Sequence, residues 1–186
     1  MTVSQARNLA ERALSKKRFN HSRAVVKYAM KLASINNLDV KKAAVAGYLH
    51  DIAKELNSSV LLQMINSSDI ISIEEIKGLE QVWHSYAGGA YAKDVLGLDE
   101  EIAMAIASHT SGRAGMSGIE KVIYVSDYLS EDRNMPGLAP LRKLSEKSLD
   151  SVVLEILTRQ ISRLIALRRK IDINSIRAYN YMLSHR

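Results

Sequence analysis

The chain has 186 residues, of which 47% are apolar and 25% charged. This balance is typical of one ordered globular domain and excludes a disordered segment. The chain has no cysteine, which excludes a disulfide framework and a thiolate metal site. The net charge of +6 arises within 141–186. No apolar run approaches the roughly 20 residues that are needed to cross a bilayer. We expect a cytoplasmic protein without a membrane segment.

Helical periodicity dominates the chain, and no alternation of apolar and polar residues bounded by hairpin turns is found. The pattern therefore predicts an all-α fold. In the first half the predicted elements are helices over 4–18, 20–35, 39–53 and 57–66, and a loop with a helical turn over 67–78. Asp39 is expected to cap the third helix, because a short acceptor side chain satisfies free N–H groups in the first turn.

The second half of the chain continues the helical pattern. The predicted helices cover 80–95, 100–109, 118–130, 139–147, 150–170 and the stretch from 174 onward. Asp99 is expected to cap one of them, and Ser117 with Glu120 forms a capping box for the next. We expect a single-domain helical bundle over 1–186, in which 138–186 form C-terminal helices.

Basic residues recur at helical spacing among apolar ones near the C-terminus, at Arg159, Arg163, Arg168 and Arg169. The favoured interpretation is a solvated helix face. The alternative is a surface that attracts anions or contacts RNA.

Four of the five histidines lie on the apolar sides or at the ends of predicted helices, namely His21, His50, His84 and His109. The fifth, His185, is interpreted as incidental. A single histidine on a helix is more often a surface or core residue than a ligand, so the set has to be judged together.

Two aspartates interrupt apolar stretches. Asp51 follows His50 between the apolar runs 45–49 and 52–53, and Asp127 follows the apolar run 122–125. Burying a charged carboxylate is costly unless it has a partner, and a divalent cation is such a partner. Imidazole and carboxylate ligands without thiolate favour iron or manganese over a structural zinc.

The order His21, His50-Asp51, Asp127 on a helical background resembles the H…HD…D pattern of the HD-domain phosphohydrolases. The two added histidines resemble the two-metal subset of that family. More narrowly, the chain resembles the YqeK family of symmetrical bis(5′-nucleosyl)-tetraphosphatases. The matching stretches are 18–21, 46–54, 83–85, 107–110, 116–117, 120–121, 126–128, 133, 136–137 and 178–180. The resemblance therefore implies a metal-binding core over about 18–137.

The resemblance implies a ligand set for two divalent metal ions, with iron favoured and manganese or cobalt compatible. In this pattern one metal is held by His21, His50, Asp51 and Asp127, and the second by His84 and His109, with Asp51 bridging the two. Lys54 and Arg133 match positions that contact substrate phosphates. The chain departs from the pattern at Ser126, Ser130 and Glu131, which changes the surroundings of Arg133.

The implied reaction is symmetrical cleavage of diadenosine tetraphosphate to two ADP by a metal-activated hydroxide. The alternatives are another nucleotidase or phosphodiesterase of the HD type, or an RNA-binding protein with a structural metal site. The implied partner is a dinucleoside polyphosphate or another nucleotide; nucleic acid and membrane are disfavoured, and a homodimer is compatible. Tyr86, Tyr124 and Tyr128 are candidates for stacking on a base, although tyrosines of this kind are more often core.

Overall fold

The structure is a computed structural model that describes residues 1–185. Within that range it is helical and contains no strand, which confirms the all-α prediction. The α-helices are α1 (Val3–Ala13), α2 (Lys16–Ile35), α3 (Val40–Leu49), α4 (Ser58–Asn66), α5 (Glu80–Ala90), α6 (Glu100–Ser108), α7 (Gly118–Leu129), α8 (Leu138–Ser145), α9 (Leu149–Ala166) and α10 (Ile173–Ser184). A 3₁₀ turn over Ile73–Ile76 precedes α5, and a π-helical turn over Tyr91–Val95 follows it.

The helices pack around one main apolar core that runs from Ala6 in α1 to Met182 in α10. Helix α2 packs on α3 and α7, while α6 packs on α5 and α7. Helix α9 covers the outside of α7 and also contacts α8 and α10. None of the helices described has the length and apolar character needed to cross a membrane.

The predicted caps are present. The side chain of Asp39 accepts hydrogen bonds from the first turn of α3, and Asp99 does the same for α6. Ser117 and Glu120 form the predicted capping box at the start of α7. The capping signals were therefore sufficient to place the starts of these three helices.

The boundary between the first two helices differs from the prediction of 4–18 and 20–35. Helix α1 ends at Ala13 and α2 already begins at Lys16, because Leu14 is extended and the Ser15 side chain accepts a hydrogen bond from the Arg18 N–H. His21 consequently lies inside the second turn of α2.

Three further helices end four or five residues earlier than predicted. Helix α3 was expected to continue to 53 but ends at Leu49, and the following turns are closed by short-range bonds such as Lys54 N–H to the Asp51 carbonyl, 2.9 Å. The helix predicted over 80–95 is α-helical only to Ala90, where the π-helical turn widens it. Helix α9 ends at Ala166 instead of 170, because the chain turns at Arg168 with φ +52°.

Glycine allows two close helix contacts beneath the histidines. A Cβ on Gly47 of α3 would lie 3.0 Å from Val26 Cγ2 in α2. A Cβ on Gly89 of α5 would lie 2.6 Å from the Ala107 Cβ in α6. These contacts bring the histidine-bearing helices together.

Candidate metal centre

Two of the histidines stand where a helix ends. His50 follows the last residue of α3 and His109 follows the last residue of α6. The last carbonyls of a helix have no partner within it, and each ring uses one: His50 Nδ1 lies 2.8 Å from the Gly47 carbonyl and His109 Nδ1 lies 2.7 Å from the Ile106 carbonyl. The Nδ1–H donates in both cases, so that Nε2 carries the free lone pair.

Asp51 lies between the histidines, and its two carboxylate oxygens face different ones. Its Oδ2 is 3.6 Å from His50 Nε2. Its Oδ1 is 3.4 Å from His84 Nε2 and 3.7 Å from His109 Nε2. A carboxylate placed in this way can give one oxygen to each of two cations.

A second carboxylate completes the group around His50. His21 Nε2 lies 2.9 Å from Asp127 Oδ1, and the same oxygen lies 3.9 Å from His50 Nε2. The opposite nitrogen of His21, Nδ1, is 2.7 Å from Asp132 Oδ2. Asp132 thus orients the ring of His21 in the way that outer carboxylates orient metal-binding histidines.

The structure brings together all six residues for which metal ligation was predicted. Two sets of potential ligand atoms each lie within 4.8 Å of one another, and both contain Asp51: His21, His50 and Asp51 form one, and Asp51, His84 and His109 form the other. The imidazole rings stand edge to face in a row, with centroids 5.0 to 5.2 Å apart.

The electrostatics favour the protonation states that bind metal at Asp51, His84 and His109, whereas at His50 the neighbouring Asp51 outweighs burial and raises the pKa. Burial opposes ionisation of Asp51, but the surrounding imidazoles, His50 first, outweigh it and hold the pKa of Asp51 well below its usual range. Burial, reinforced by the neighbouring His50, lowers the pKa of His109 to about 4. Burial and the neighbouring His109 lower the pKa of His84 well below its ordinary value. Near neutral pH, His84 and His109 are therefore uncharged ligands beside an ionised carboxylate.

His50 Nε2 is a buried nitrogen without a hydrogen-bond partner among residues 1–185. Leaving a buried polar atom unsatisfied is costly, and such atoms require an explanation. A cation between Asp51 and Asp127 would use this lone pair. The donor set therefore fits a divalent metal.

Three cationic side chains surround the ligands. Arg133 donates from Nε to the Asp127 carbonyl, 2.9 Å, and from Nη2 to the Asp127 carboxylate. Lys54 Nζ lies 2.9 Å from His84 Nε2, and burial lowers the pKa of Lys54. Arg18 Nη1 lies 3.3 Å from Asp51 Oδ2.

The remaining sequence candidates are not all at the site. Tyr86 and Tyr124 are buried and donate their hydroxyls to Asp172 and Gln160, so their rings are not available for stacking on a base. Tyr128 is half-buried and lines a cavity beside Asp127.

The roles of Asp132 and Arg18 were not predicted from the sequence. Asp132 lies in a polar loop that gave no periodic signal. Arg18 lies in a stretch that matches the family pattern, but no function was predicted for it. Asp132 reaches His21 where the segment after α7 meets α2, and Arg18 reaches Asp51 where the turn after α3 meets α2, and only the folded chain shows these contacts.

A helical frame that buries an ordered set of histidines and aspartates is the arrangement of the HD domain, and the model of that domain family matches residues 18–132. The chain belongs to the HD domain family.

Its relatives within that family carry a more specific name. The symmetrical bis(5′-nucleosyl)-tetraphosphatase of Staphylococcus aureus is 34% identical over 168 residues, which cover 89% of this chain and 86% of the relative. The Bacillus subtilis protein of the same name is 30% identical over 185 residues, 99% of each chain. A crystal structure of a predicted HD superfamily hydrolase involved in NAD metabolism from Clostridium acetobutylicum superposes with a TM-score of 0.92 at 33% identity, covering 98% of this chain and 97% of that one.

Proposed function

We propose that this protein is a metal-dependent phosphohydrolase that cleaves diadenosine tetraphosphate symmetrically into two ADP. The observation that carries the proposal is the position of Asp51, whose two oxygens face the two separate histidine sets. The names of the full-length relatives support the substrate.

The proposed cofactor is a pair of divalent ions, with iron favoured and manganese or cobalt compatible. Nitrogen and carboxylate ligands without thiolate suit these ions. His21, His50, Asp51 and Asp127 would hold one ion, and Asp51, His84 and His109 the other. When bound, such ions lower the pKa of water and neutralise charge on a phosphoryl group.

The chain's own side chains supply the remaining positive charge. Arg133 holds Asp127 and faces the cavity beside it, so it can donate to a phosphate oxygen without leaving its position. Lys54 cannot stay beside His84 once a cation is held there, because like charges repel. Its flexible side chain lets the ammonium turn to a phosphate oxygen, where fixed charge stabilises the transition state.

The orienting groups keep the ligands ready to bind. The carbonyls of Gly47 and Ile106 and the carboxylate of Asp132 fix three imidazole rings before any ligand arrives. No protein nucleophile is required, since water is the attacking group. The reaction would then consist of water attack on an inner phosphorus, loss of a proton from that water, and cleavage of the bridging P–O bond with departure of ADP.

The test is product analysis. Protein loaded with iron, manganese or cobalt is incubated with diadenosine tetraphosphate in oxygen-18 water, and the products are separated by anion exchange and weighed. We expect two ADP, one of them labelled, and no turnover after chelation. Release of ATP and AMP, or preference for a mononucleotide or cyclic nucleotide, would contradict the proposed substrate and leave a different HD-type reaction.

A further inference from the structure

A cavity of about 210 Å³ opens beside Asp127, and we call it the Asp127 cavity. Its lining carries three arginines, and the complete set is Asp127, Tyr128, Arg133, Met135, Arg159, Gln160 and Arg163. Asp127 also belongs to the candidate metal centre, so the cavity adjoins that centre. Its cationic lining suits an anion.

A second cavity of about 240 Å³, here the Thr110 cavity, is lined in part by Thr110. Thr110 Oγ1 is 3.5 Å from His84 Nε2, which places this cavity beside the second histidine set. Its lining combines apolar side chains, namely Val82, Ile161, Leu164 and Leu167, with polar and charged ones that include Arg169, Lys170 and Asp172. The apolar part of this lining suits the faces of a nucleoside.

The two cavities meet at α9, because Gln160 and Arg163 line both of them. Gln160 accepts a hydrogen bond from the buried Tyr124 hydroxyl, which fixes its side chain and leaves its amide N–H groups for a ligand. One turn of α9 therefore lies between an anion-binding subsite and a subsite with an apolar wall.

The arginines of the Asp127 cavity differ in their partners. Arg133 is paired with Asp127, and Arg159 with Glu155 at 2.8 Å. The side chain of Arg163 makes no hydrogen bond or ion pair with any residue in the described range. It is the cation best able to bind a ligand without losing an internal contact.

We propose that α9 is the substrate-binding helix: Arg163, with Gln160, binds the phosphate chain where the cavities meet, and Leu164 in the Thr110 cavity contacts one nucleoside. This rests on the proposed function and assigns residues to its substrate. A dinucleoside polyphosphate has the required chemistry, a polyanion joined to planar groups with apolar faces. Of the two interpretations of this basic stretch, the proposal favours the anion-attracting surface at Arg163.

The test compares Arg163→Gln and Leu164→Ala with Arg7→Gln, which removes an exposed arginine from α1. Two substrates are used, diadenosine tetraphosphate and inorganic tetraphosphate, together with ADP binding by calorimetry and metal content by elemental analysis. We expect Arg163→Gln to lower kcat/KM about 10- to 100-fold for both substrates, as for loss of a charged hydrogen bond. ADP binding should weaken in parallel, with metal content unchanged.

Leu164→Ala should lower kcat/KM about fivefold for the dinucleotide alone, since only this substrate has apolar surface to bury. Arg7→Gln should match the parent protein. The proposal is overturned if Arg163→Gln behaves like Arg7→Gln, if it loses metal, or if Leu164→Ala affects both substrates equally. If the parent protein does not cleave the dinucleotide, the proposed function fails; the ADP titrations then decide the α9 assignment separately, and equal affinity in all variants overturns it.

Discussion

Replacing Asp51 by asparagine perturbs the site with little change of shape. The side chain keeps its size but loses its charge and offers one oxygen where it had two. In the structure those oxygens face His50 on one side and His84 and His109 on the other. The substitution should therefore weaken both proposed metal sites at once.

The magnitude follows from the burial of Asp51, which is 3% exposed. At an effective dielectric constant of about 20, two unit charges about 4 Å apart attract each other by about 4 kcal/mol. Because about 1.4 kcal/mol corresponds to a factor of ten, loss of this charge should weaken metal binding by about a thousandfold. Turnover should fall by at least as much.

Metal content by elemental analysis and turnover of diadenosine tetraphosphate measure this effect. His185→Ala is the matched control, since that histidine lies at the exposed end of α10, where its Nδ1 is 3.0 Å from the Tyr181 carbonyl. We expect full metal content and activity in the control. If Asp51→Asn keeps its metal and turns over at a rate similar to the control, the bridging role is refuted.

Three further predictions concern the surroundings of the site. Asp132→Asn should weaken metal binding about 10- to 100-fold through His21, with unchanged circular dichroism; unchanged affinity in a metal titration would contradict its orienting role. Gly89→Ala should lower the free energy of unfolding, measured in urea, by about 1–2 kcal/mol, although alanine has the better helix propensity. The loss should exceed that of Gly88→Ala, whose Cβ would meet its nearest neighbour, a side-chain methyl group, at 3.1 Å; the reverse order would refute the close packing of α5 and α6. Chelation should lower the melting temperature, because bound metal at a thousand times its Kd adds about 4 kcal/mol to the free energy of unfolding. An unchanged melting temperature would mean that the folded chain holds no metal.

Much of the local structure could be predicted from the sequence. Side chains such as Asp99 and Ser117 act within one turn, so their capping roles could be predicted from spacing alone. Helix position and apolar surroundings indicated the six candidate ligands, the resemblance to a known family divided them between two metals, and the folded chain brings them together. Their role as ligands, like a homodimer and the division into 18–137 and 138–186, stays a prediction.

Other features depend on contacts between segments far apart in the chain. The early end of α3 at Leu49 lets Asp51 turn between two histidine sets, and no local pattern indicated that end. Asp132 reaches His21 only because the segment after α7 lies on α2. Arg163 lines its cavity because α9 packs against α7, and helical periodicity does not predict which helices pack together.

The central claim is that hydrolysis depends on two metal ions that share Asp51. The most direct test titrates metal-free protein with manganese or iron under anaerobic conditions while the rate of ADP formation from diadenosine tetraphosphate is measured. The rate should rise until two equivalents of metal per chain are bound and then stay constant. Full activity at one equivalent, or activity that does not depend on metal, would contradict the claim.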